Sequence, residues 1–225
     1  LLGEAVSGAV APTPPRERSL SALVWTVNAP AGGDFPLARH NVFFSNDYAG
    51  EFRRIFEEGR LPDEPTTYVC AQARGDEAPA TPPDREPLLV LVNAPATGDG
   101  PGLSPAEIDH CRERTSRLLE ACGAGPMPAP DTGPLTTPRE FEALFPATGG
   151  ALYGRASHGW MASFRRPGGR TRIPGLFLAG GSVHPGPGVP MAALSGRIAA
   201  RAVASDLAST SRSRPVAMSG GMSTR

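Results

Sequence analysis

The stretch LFLAGGSVHPGPGVPMAALSGRIAARAV, residues 176–203, contains an apolar run, a loop of glycines and prolines, and a run of small and aliphatic residues. The apolar run 176–179 predicts a short strand, and Gly180 and Gly181 allow the backbone to turn sharply after it. Pro190 suits the first turn of a helix, where no intrahelical bond needs its missing amide. A strand, a loop and a helix in this order are typical of anion sites and of turns that expose a nucleophile.

The loop favours an anion or an electron-rich carbonyl as its ligand. Backbone amides at the start of the predicted helix, near Val189 and Met191, would carry the positive end of the helix dipole. The prolines restrict the loop before any ligand arrives, and the small residues 192–196 allow a flat ring to approach closely. The alternative is a strand and a helix that pack together without a ligand.

The same loop comes within one residue of the G-x-S-x-G turn of serine hydrolases. Ser182 would be the nucleophile, but His184 stands where the last glycine belongs. The hydrolase turn needs its helix directly after the serine, whereas the prolines here delay the helix. The triad also needs a later histidine, and none follows His184. A hydrolase that uses Ser182 is therefore the less favoured alternative.

The composition excludes several classes of chemistry. All 22 basic residues are arginine, so the chain has no lysine for a Schiff base, for a Walker motif or for general-base catalysis. The formal net charge is zero, which gives no electrostatic preference for nucleic acid. The three cysteines lack metal-binding spacing and are interpreted as reduced thiols, so no metal site is predicted.

No apolar run approaches the roughly 18 residues that span a bilayer. The first residues include Glu4 and no basic leader. The sequence therefore predicts neither a transmembrane helix nor a signal peptide, and a cytoplasmic location is expected.

Several predicted strands with few, scattered helices indicate an α+β fold. Each predicted helix start carries a side chain that can accept a hydrogen bond from the free amides of the first turn. Strands are predicted at 19–28, 42–44, 66–72 and 88–93; helices are predicted after Asn46 or Asp47 up to Gly59, after Ser104 with Glu107, and after Thr137 with Glu140.

Longer stretches support a resemblance to a known family. PGLFLAGGSVHPGPGVPMAALSGRIAA (174–200) resembles the C-terminal flavin-binding segment of the phytoene-desaturase-type carotenoid oxidoreductases. RHNVFFSNDYAGEFRRIFEEGRLPDEPTTYVCAQAR (39–74), TPREFEALFP (137–146) and GGALYGRASHGWMASFRRPGGRT (149–171) resemble the branch that dehydrogenates hydroxy- or methoxy-neurosporene. The resemblance implies an FAD enzyme of carotenoid biosynthesis in photosynthetic organisms that removes two hydrogens from a polyene. Since no side chain accepts a hydride, such an enzyme needs a cofactor.

The resemblance also implies a domain organisation and a set of cofactor contacts. Residues 1–172 would form part of a substrate-binding domain with a mixed sheet, and 173–207 would form the C-terminal strand, loop and helix of a Rossmann-like FAD domain. Residues 208–225 are predicted to be a disordered tail, and no catalytic residue is assigned. The implied contacts are Gly180, Gly181 and Ser182 along the ribityl–pyrophosphate region, His184 nearby, and Gly188, Val189, Pro190 and Met191 at the pyrimidine edge of the ring.

The chain departs from the family pattern in three places. Val183 and Pro187 stand where many members carry threonine and alanine. The family begins with a strand and a G-x-G-x-x-G turn for the ADP half of FAD, and this chain contains no such motif. The sequence is therefore expected to be the C-terminal part of such an enzyme, with the missing N-terminal portion as its partner. The alternative is a non-catalytic remnant or a partner-dependent subunit.

Because a carotenoid is lipophilic, the resemblance implies peripheral attachment to the inner, photosynthetic membrane.

Other residues admit two interpretations. Residues 155–166 contain Arg155, His158, Trp160, Arg165 and Arg166, which belong either to a site near the flavin or to surface ion pairs and core. The phenylalanines Phe43, Phe44, Phe52 and Phe56 either line a tunnel for the polyene or pack in the core. His40 either orients a loop or, as the favoured interpretation, is a satisfied core histidine.

Overall fold

The computed structural model describes residues 3–30, 34–75, 84–128, 133–157 and 161–212. The chain divides into two compact units, Pro12–Ser157 and the combination of Leu1–Ala11 with His158–Arg225. The predicted boundary at 172/173 lies inside the second unit. Backbone hydrogen bonds explain this, because the Arg172 amide donates to the Ala9 carbonyl and the His184 amide donates to the Pro167 carbonyl.

The first unit is built on a five-stranded sheet in the order β2-β3-β4-β1-β5. All the strand pairings among the described residues are antiparallel, so the α+β class is confirmed and the predicted mixed sheet is wrong. The reason is that β3 and β4 follow each other in the chain and pair as neighbours, without a crossover helix between them. The strands are β1 Ser21–Pro30, β2 His40–Phe43, β3 Thr67–Ala71, β4 Arg85–Ala94 and β5 Leu135–Thr136.

The register of β1 against β4 places the core on one face of the sheet. Leu23 lies opposite Val92 and Trp25 lies opposite Val90. These four side chains are buried and point to the same face, since side chains alternate along a strand. Residues from several other elements complete this core: Val27, Phe43, Val69, Ala94, Cys111, Leu119 and Met127.

The helices of the first unit begin where the sequence predicts. Asp47 accepts a hydrogen bond from the Gly50 amide at the start of α1 (Tyr48–Arg53), which continues as a π-helical turn, Arg54–Glu58, and ends at Gly59. Capping boxes start α2 (Pro105–Ala121) and α3 (Pro138–Leu144).

The second unit consists of short turns and one long helix, α4 (Val189–Arg212). At the predicted strand 176–179, the structure forms only an isolated bridge between Phe177 and Arg170. A strand needs a neighbour along its whole length, and the described residues supply one only at this point. Residues 208–212 belong to α4, so that part of the predicted tail is wrong, whereas 213–225 lie outside the described residues.

None of the helices that the structure describes combines the length and the apolar character needed to cross a bilayer.

A buried carboxylate connects α1 to the sheet. The Glu51 side chain is only 2% exposed. Its two oxygens accept hydrogen bonds from the Thr66 amide at 3.0 Å and from Asn93 Nδ2 at 2.8 Å. Burying a carboxylate is costly unless such donors are present, so this residue fixes the position of α1 against β3 and β4.

We expect Glu51→Ala to lower the free energy of unfolding of the full-length protein by about 1–3 kcal/mol, because the buried Thr66 amide and the half-buried Asn93 side chain lose their acceptor. Glu57→Ala is the control, since Glu57 is exposed in the following π-helical turn; it should change stability by less than about 0.5 kcal/mol. Urea unfolding followed by circular dichroism measures both. Equal losses in the two variants would contradict the role of Glu51.

Candidate functional site

The glycine-proline loop depends on glycines with left-handed backbone conformations. Gly180 has a φ of 129° and Gly188 a φ of 97°. A Cβ atom at either position would meet no heavy atom within 4 Å, so both residues border open space. Glycine is needed at these two positions for the backbone conformation, and the space beside them is free for a ligand.

A buried serine ties this loop to α4. The Ser195 side chain is only 1% exposed. Its Oγ accepts a hydrogen bond from the Gly180 amide at 2.8 Å and donates to the Ala192 carbonyl at 2.7 Å. Sequence patterns alone indicate Ser195 only as one of the small residues of the helix. The signal for its role is a hydroxyl within two turns of the helix start, where it can reach the beginning of the loop.

The segment that precedes the loop contacts loop residues through two side chains. Arg166 is buried, and its Nη1 donates a long hydrogen bond of 3.5 Å to the Gly181 carbonyl. Burial lowers the pKa of Arg166. The His184 ring stacks on Phe164 with 6.2 Å between ring centroids. Arg166 therefore stabilises the loop, whereas the predicted contact of His184 with a cofactor stays a prediction.

The start of α4 is accessible. Ser182, Gly188, Val189, Pro190 and Met191 are exposed. The first helical hydrogen bond runs from the Ala192 amide to the Gly188 carbonyl at 2.9 Å, so the amides before Ala192 have no intrahelical partner. A helix of 24 residues adds its dipole to these amides. The geometry suits an anion or an electron-rich carbonyl.

One side of α4 is buried and another is not. Ser195 and Ala199 are buried. Three exposed apolar residues recur at intervals of three and four positions, which places them along one stripe of the helix. We call this the α4 stripe; it consists of Met191, Leu194 and Ile198.

In the first unit, part of the sheet face opposite the core is accessible. Four side chains from β1, β4, β3 and β2 lie in register across this face, and each is half-buried or exposed. We call them the open row: Val24, Leu91, Tyr68 and Val42. The row is uncharged and mostly apolar, which distinguishes it from a solvated sheet face.

Four aromatic rings continue this surface along α1 and its π-helical turn. Their centroids are 5.7, 5.0 and 6.1 Å apart in sequence order, which is close enough for direct ring contacts. The first two rings are 63% and 49% exposed. We call these rings the aromatic ladder: Phe44, Tyr48, Phe52 and Phe56.

The remaining predicted residues lie in different environments. Phe43 is buried in the core, unlike the other three predicted phenylalanines. Arg155 forms an ion pair with Glu17, in agreement with the ion-pair interpretation. His40 is exposed and its Nδ1 lies 2.6 Å from Tyr68 Oη, so the prediction of a core histidine is wrong. His158 and Trp160 lie outside the described residues.

Comparisons with known proteins find a flavin-containing family and several relatives. The family described as "Flavin containing amine oxidoreductase" matches residues 44–204. The chain is 57% identical to a hydroxyneurosporene desaturase of Rubrivivax gelatinosus, over 100% of this chain and 42% of that protein. It is 45% identical to a hydroxyneurosporene desaturase of Cereibacter sphaeroides, over 94% of this chain and 41% of that protein.

A more distant relative is a 1-hydroxycarotenoid 3,4-desaturase of a Flavobacterium species, which is 34% identical over 82% of this chain and 38% of that protein. The chain thus spans about two fifths of the length of these relatives.

We expect Ser195→Ala to destabilise the protein by about 1–3 kcal/mol, because the Gly180 amide loses its buried acceptor. Ser209→Ala is a matched control on the same helix: the Ser209 hydroxyl also donates to a carbonyl three residues earlier, but it is exposed. Thermal unfolding measures the difference. If both variants melt at the wild-type temperature, Ser195 does not hold the loop.

Proposed function

The chain belongs to the family of flavin-containing amine oxidoreductases, and from this we propose that it is the C-terminal part of an FAD-dependent carotenoid desaturase. The substrate would be a hydroxy- or methoxy-neurosporene-type polyene; two of the relatives described above are named hydroxyneurosporene desaturases. The observation that carries the proposal is the accessible, positively polarised start of α4 beside the open space at Gly188.

The residues of the loop fit a flavin. Gly180, Gly181 and Ser182 would follow the ribityl–pyrophosphate region, because the space at Gly180 is free and Ser182 is exposed. His184 would lie near the same region. When bound, FAD supplies an acceptor for the two hydrogens that leave adjacent carbons of the polyene.

The start of α4 would hold the pyrimidine edge of the flavin ring. The amides of Gly188, Val189 and Met191 can donate hydrogen bonds to its electron-rich atoms, and Pro190 has no amide to offer. The positive end of the helix dipole favours negative charge at that edge. The chain therefore contributes a fixed electrostatic environment that favours the reduced state of the cofactor.

The rest of the FAD domain would come from the N-terminal portion of the full-length protein. The α4 stripe is exposed in this chain, and a contiguous apolar surface of this kind is typical of an interface. The apolar run 176–179 likewise has too few neighbours here to form a strand. We propose that N-terminal strands complete a Rossmann-like sheet at 176–179, and that an N-terminal element covers the α4 stripe.

The open row and the aromatic ladder would contact the polyene. Both surfaces are mostly apolar and at least partly accessible to solvent, and aromatic rings pack well against a conjugated chain. Because the substrate dissolves in lipid, we further propose that the protein attaches peripherally to the cytoplasmic side of the inner, photosynthetic membrane. Flotation of the full-length protein with liposomes tests this attachment, and a protein that stays in the dense fraction would contradict it.

The direct test of the function is expression of the full-length protein in a host that makes hydroxyneurosporene. We expect the extracted carotenoid to show red-shifted absorbance, because removal of two hydrogens lengthens the conjugated system. If the host contains flavin-loaded protein and the absorbance of the extracted carotenoid does not shift, the proposal is overturned.

A second candidate is that this chain alone is non-catalytic and depends on a partner. The exposed α4 stripe and the coverage of about two fifths of the relatives favour it. Purification of the 225-residue chain separates the two possibilities. A flavin-free protein that gains flavin when the N-terminal portion is added would support partner dependence.

We expect Gly188→Ala to weaken FAD binding by the full-length protein at least tenfold, because the new methyl group would occupy the space beside the α4 amides. Gly175→Ala is the matched control. Gly175 also has a positive φ, 81°, and open space at its Cβ position, so both variants carry the same kind of backbone strain. Equal loss of FAD in the two variants, measured by flavin absorbance after gel filtration, would contradict the assignment.

We expect Phe44→Ala to lower kcat/KM for the polyene about tenfold without loss of FAD, because an apolar contact of the aromatic ladder is removed. Phe145→Ala is the control, since Phe145 is 64% exposed and Phe44 is 63% exposed, but only Phe44 belongs to the ladder. Steady-state kinetics in detergent micelles measure both. A similar loss in the control would show that surface hydrophobicity alone is responsible.

A further inference from the structure

We propose that His40 and Tyr68 form a specificity-determining pair that recognises the oxygen of a hydroxylated polyene. The inference rests on the proposed function, because it assumes that the open row and the aromatic ladder contact the substrate. It adds a polar contact to that apolar surface and identifies the substrate oxygen as the group that this contact recognises.

The two side chains are joined at one end of the open row. Nδ1 of His40 lies 2.6 Å from Oη of Tyr68, and the rings stack with centroids 6.1 Å apart. In the β2–β3 register, Val42 lies opposite Tyr68 and His40 lies opposite Cys70. His40 and Tyr68 are thus diagonal neighbours on the open face, and β2 is the edge strand of the sheet.

The Tyr68 side of the pair is uncharged. Partial burial raises the pKa of Tyr68, so its phenol is neutral at physiological pH. The Cys70 thiol is the other titratable group that interacts with Tyr68, and Arg39 is a charged neighbour that acts on it. A neutral hydroxyl at the edge of an apolar surface suits a neutral ligand with one polar end.

The pair offers both a donor and an acceptor in either arrangement of its shared proton. If Tyr68 donates to His40 Nδ1, Nε2–H of His40 is a free donor and the phenol oxygen accepts. If Nδ1–H donates to the phenol oxygen, the phenol proton is free and Nε2 accepts. A substrate hydroxyl also both donates and accepts, so it can satisfy both atoms of the pair.

The size of the apolar surface agrees with a rod-like ligand. The open row crosses four strands, a distance of about 14 Å at the usual strand spacing of roughly 4.8 Å. A hydrocarbon polyene on this surface would remove water from the His40–Tyr68 pair without replacing its hydrogen bonds. Because unsatisfied polar groups are costly, the pair should discriminate against a polyene that lacks oxygen. Two of the relatives described above are also named for hydroxylated substrates.

The test compares hydroxyneurosporene with neurosporene on the full-length protein, in binding to the immobilised protein and in turnover. We expect Tyr68→Phe, which keeps the ring and removes the hydroxyl, to reduce the preference for hydroxyneurosporene at least tenfold. His40→Ala should have the same effect and replaces an exposed side chain, so it serves if Tyr68→Phe does not fold. Tyr153→Phe makes the same chemical change at an exposed tyrosine outside these surfaces and should keep the preference.

Three results would overturn the inference: a wild-type protein without preference, variants that keep the wild-type preference, or variants that lose both polyenes equally. The binding measurement separates this inference from the proposed function. A wild-type protein that binds hydroxyneurosporene preferentially, loses that preference in both variants, and oxidises neither polyene would support the pair and refute the desaturase.

Discussion

The ten-residue antiparallel pairing of β1 with β4 is the constraint on which the first unit depends. Because side chains alternate along both strands, one register fixes two faces at once. Leu23 and Val92 enter the core, while Val24 and Leu91 reach the open face. A slip of one residue would exchange the two faces, so core stability also protects the open row. The surface proposed to contact the substrate is therefore determined by the same hydrogen bonds that build the core.

The second unit depends on local side-chain contacts rather than on strand pairing. Its glycine-proline loop is held by two side chains of the same unit, Ser195 of α4 and Arg166 of the preceding segment. Glycines at 180 and 188 adopt backbone conformations that leave space beside them. A site held in this way before binding loses little conformational entropy when a ligand arrives. The exposed α4 stripe indicates that this local order is only part of a larger structure.

Local features of the fold were predictable and features that depend on distant partners were not. The capping boxes at Ser104 and Thr137 were found because cap and partner lie three residues apart. β4 begins at Arg85 rather than 88 because Glu86 is buried against Arg74, across a loop. The strand predicted at 176–179 is not formed here, because strand formation depends on hydrogen bonds to neighbouring strands. The candidate site shows the same division: its eight loop residues lie within one short stretch, whereas the His40–Tyr68 contact joins residues 28 positions apart.

A polyene is difficult to position because its contacts are almost all apolar. Hydrophobic attraction and ring packing are weakly directional, so they bind a rod without fixing where it stops along its length. The open row and the aromatic ladder alone would let such a substrate slide. In the proposed mode of binding, a polar pair at one end of the surface would remove this freedom, because only one position satisfies both hydrogen bonds. Apolar surfaces would then supply affinity, and the His40–Tyr68 pair would fix where the substrate stops along the surface.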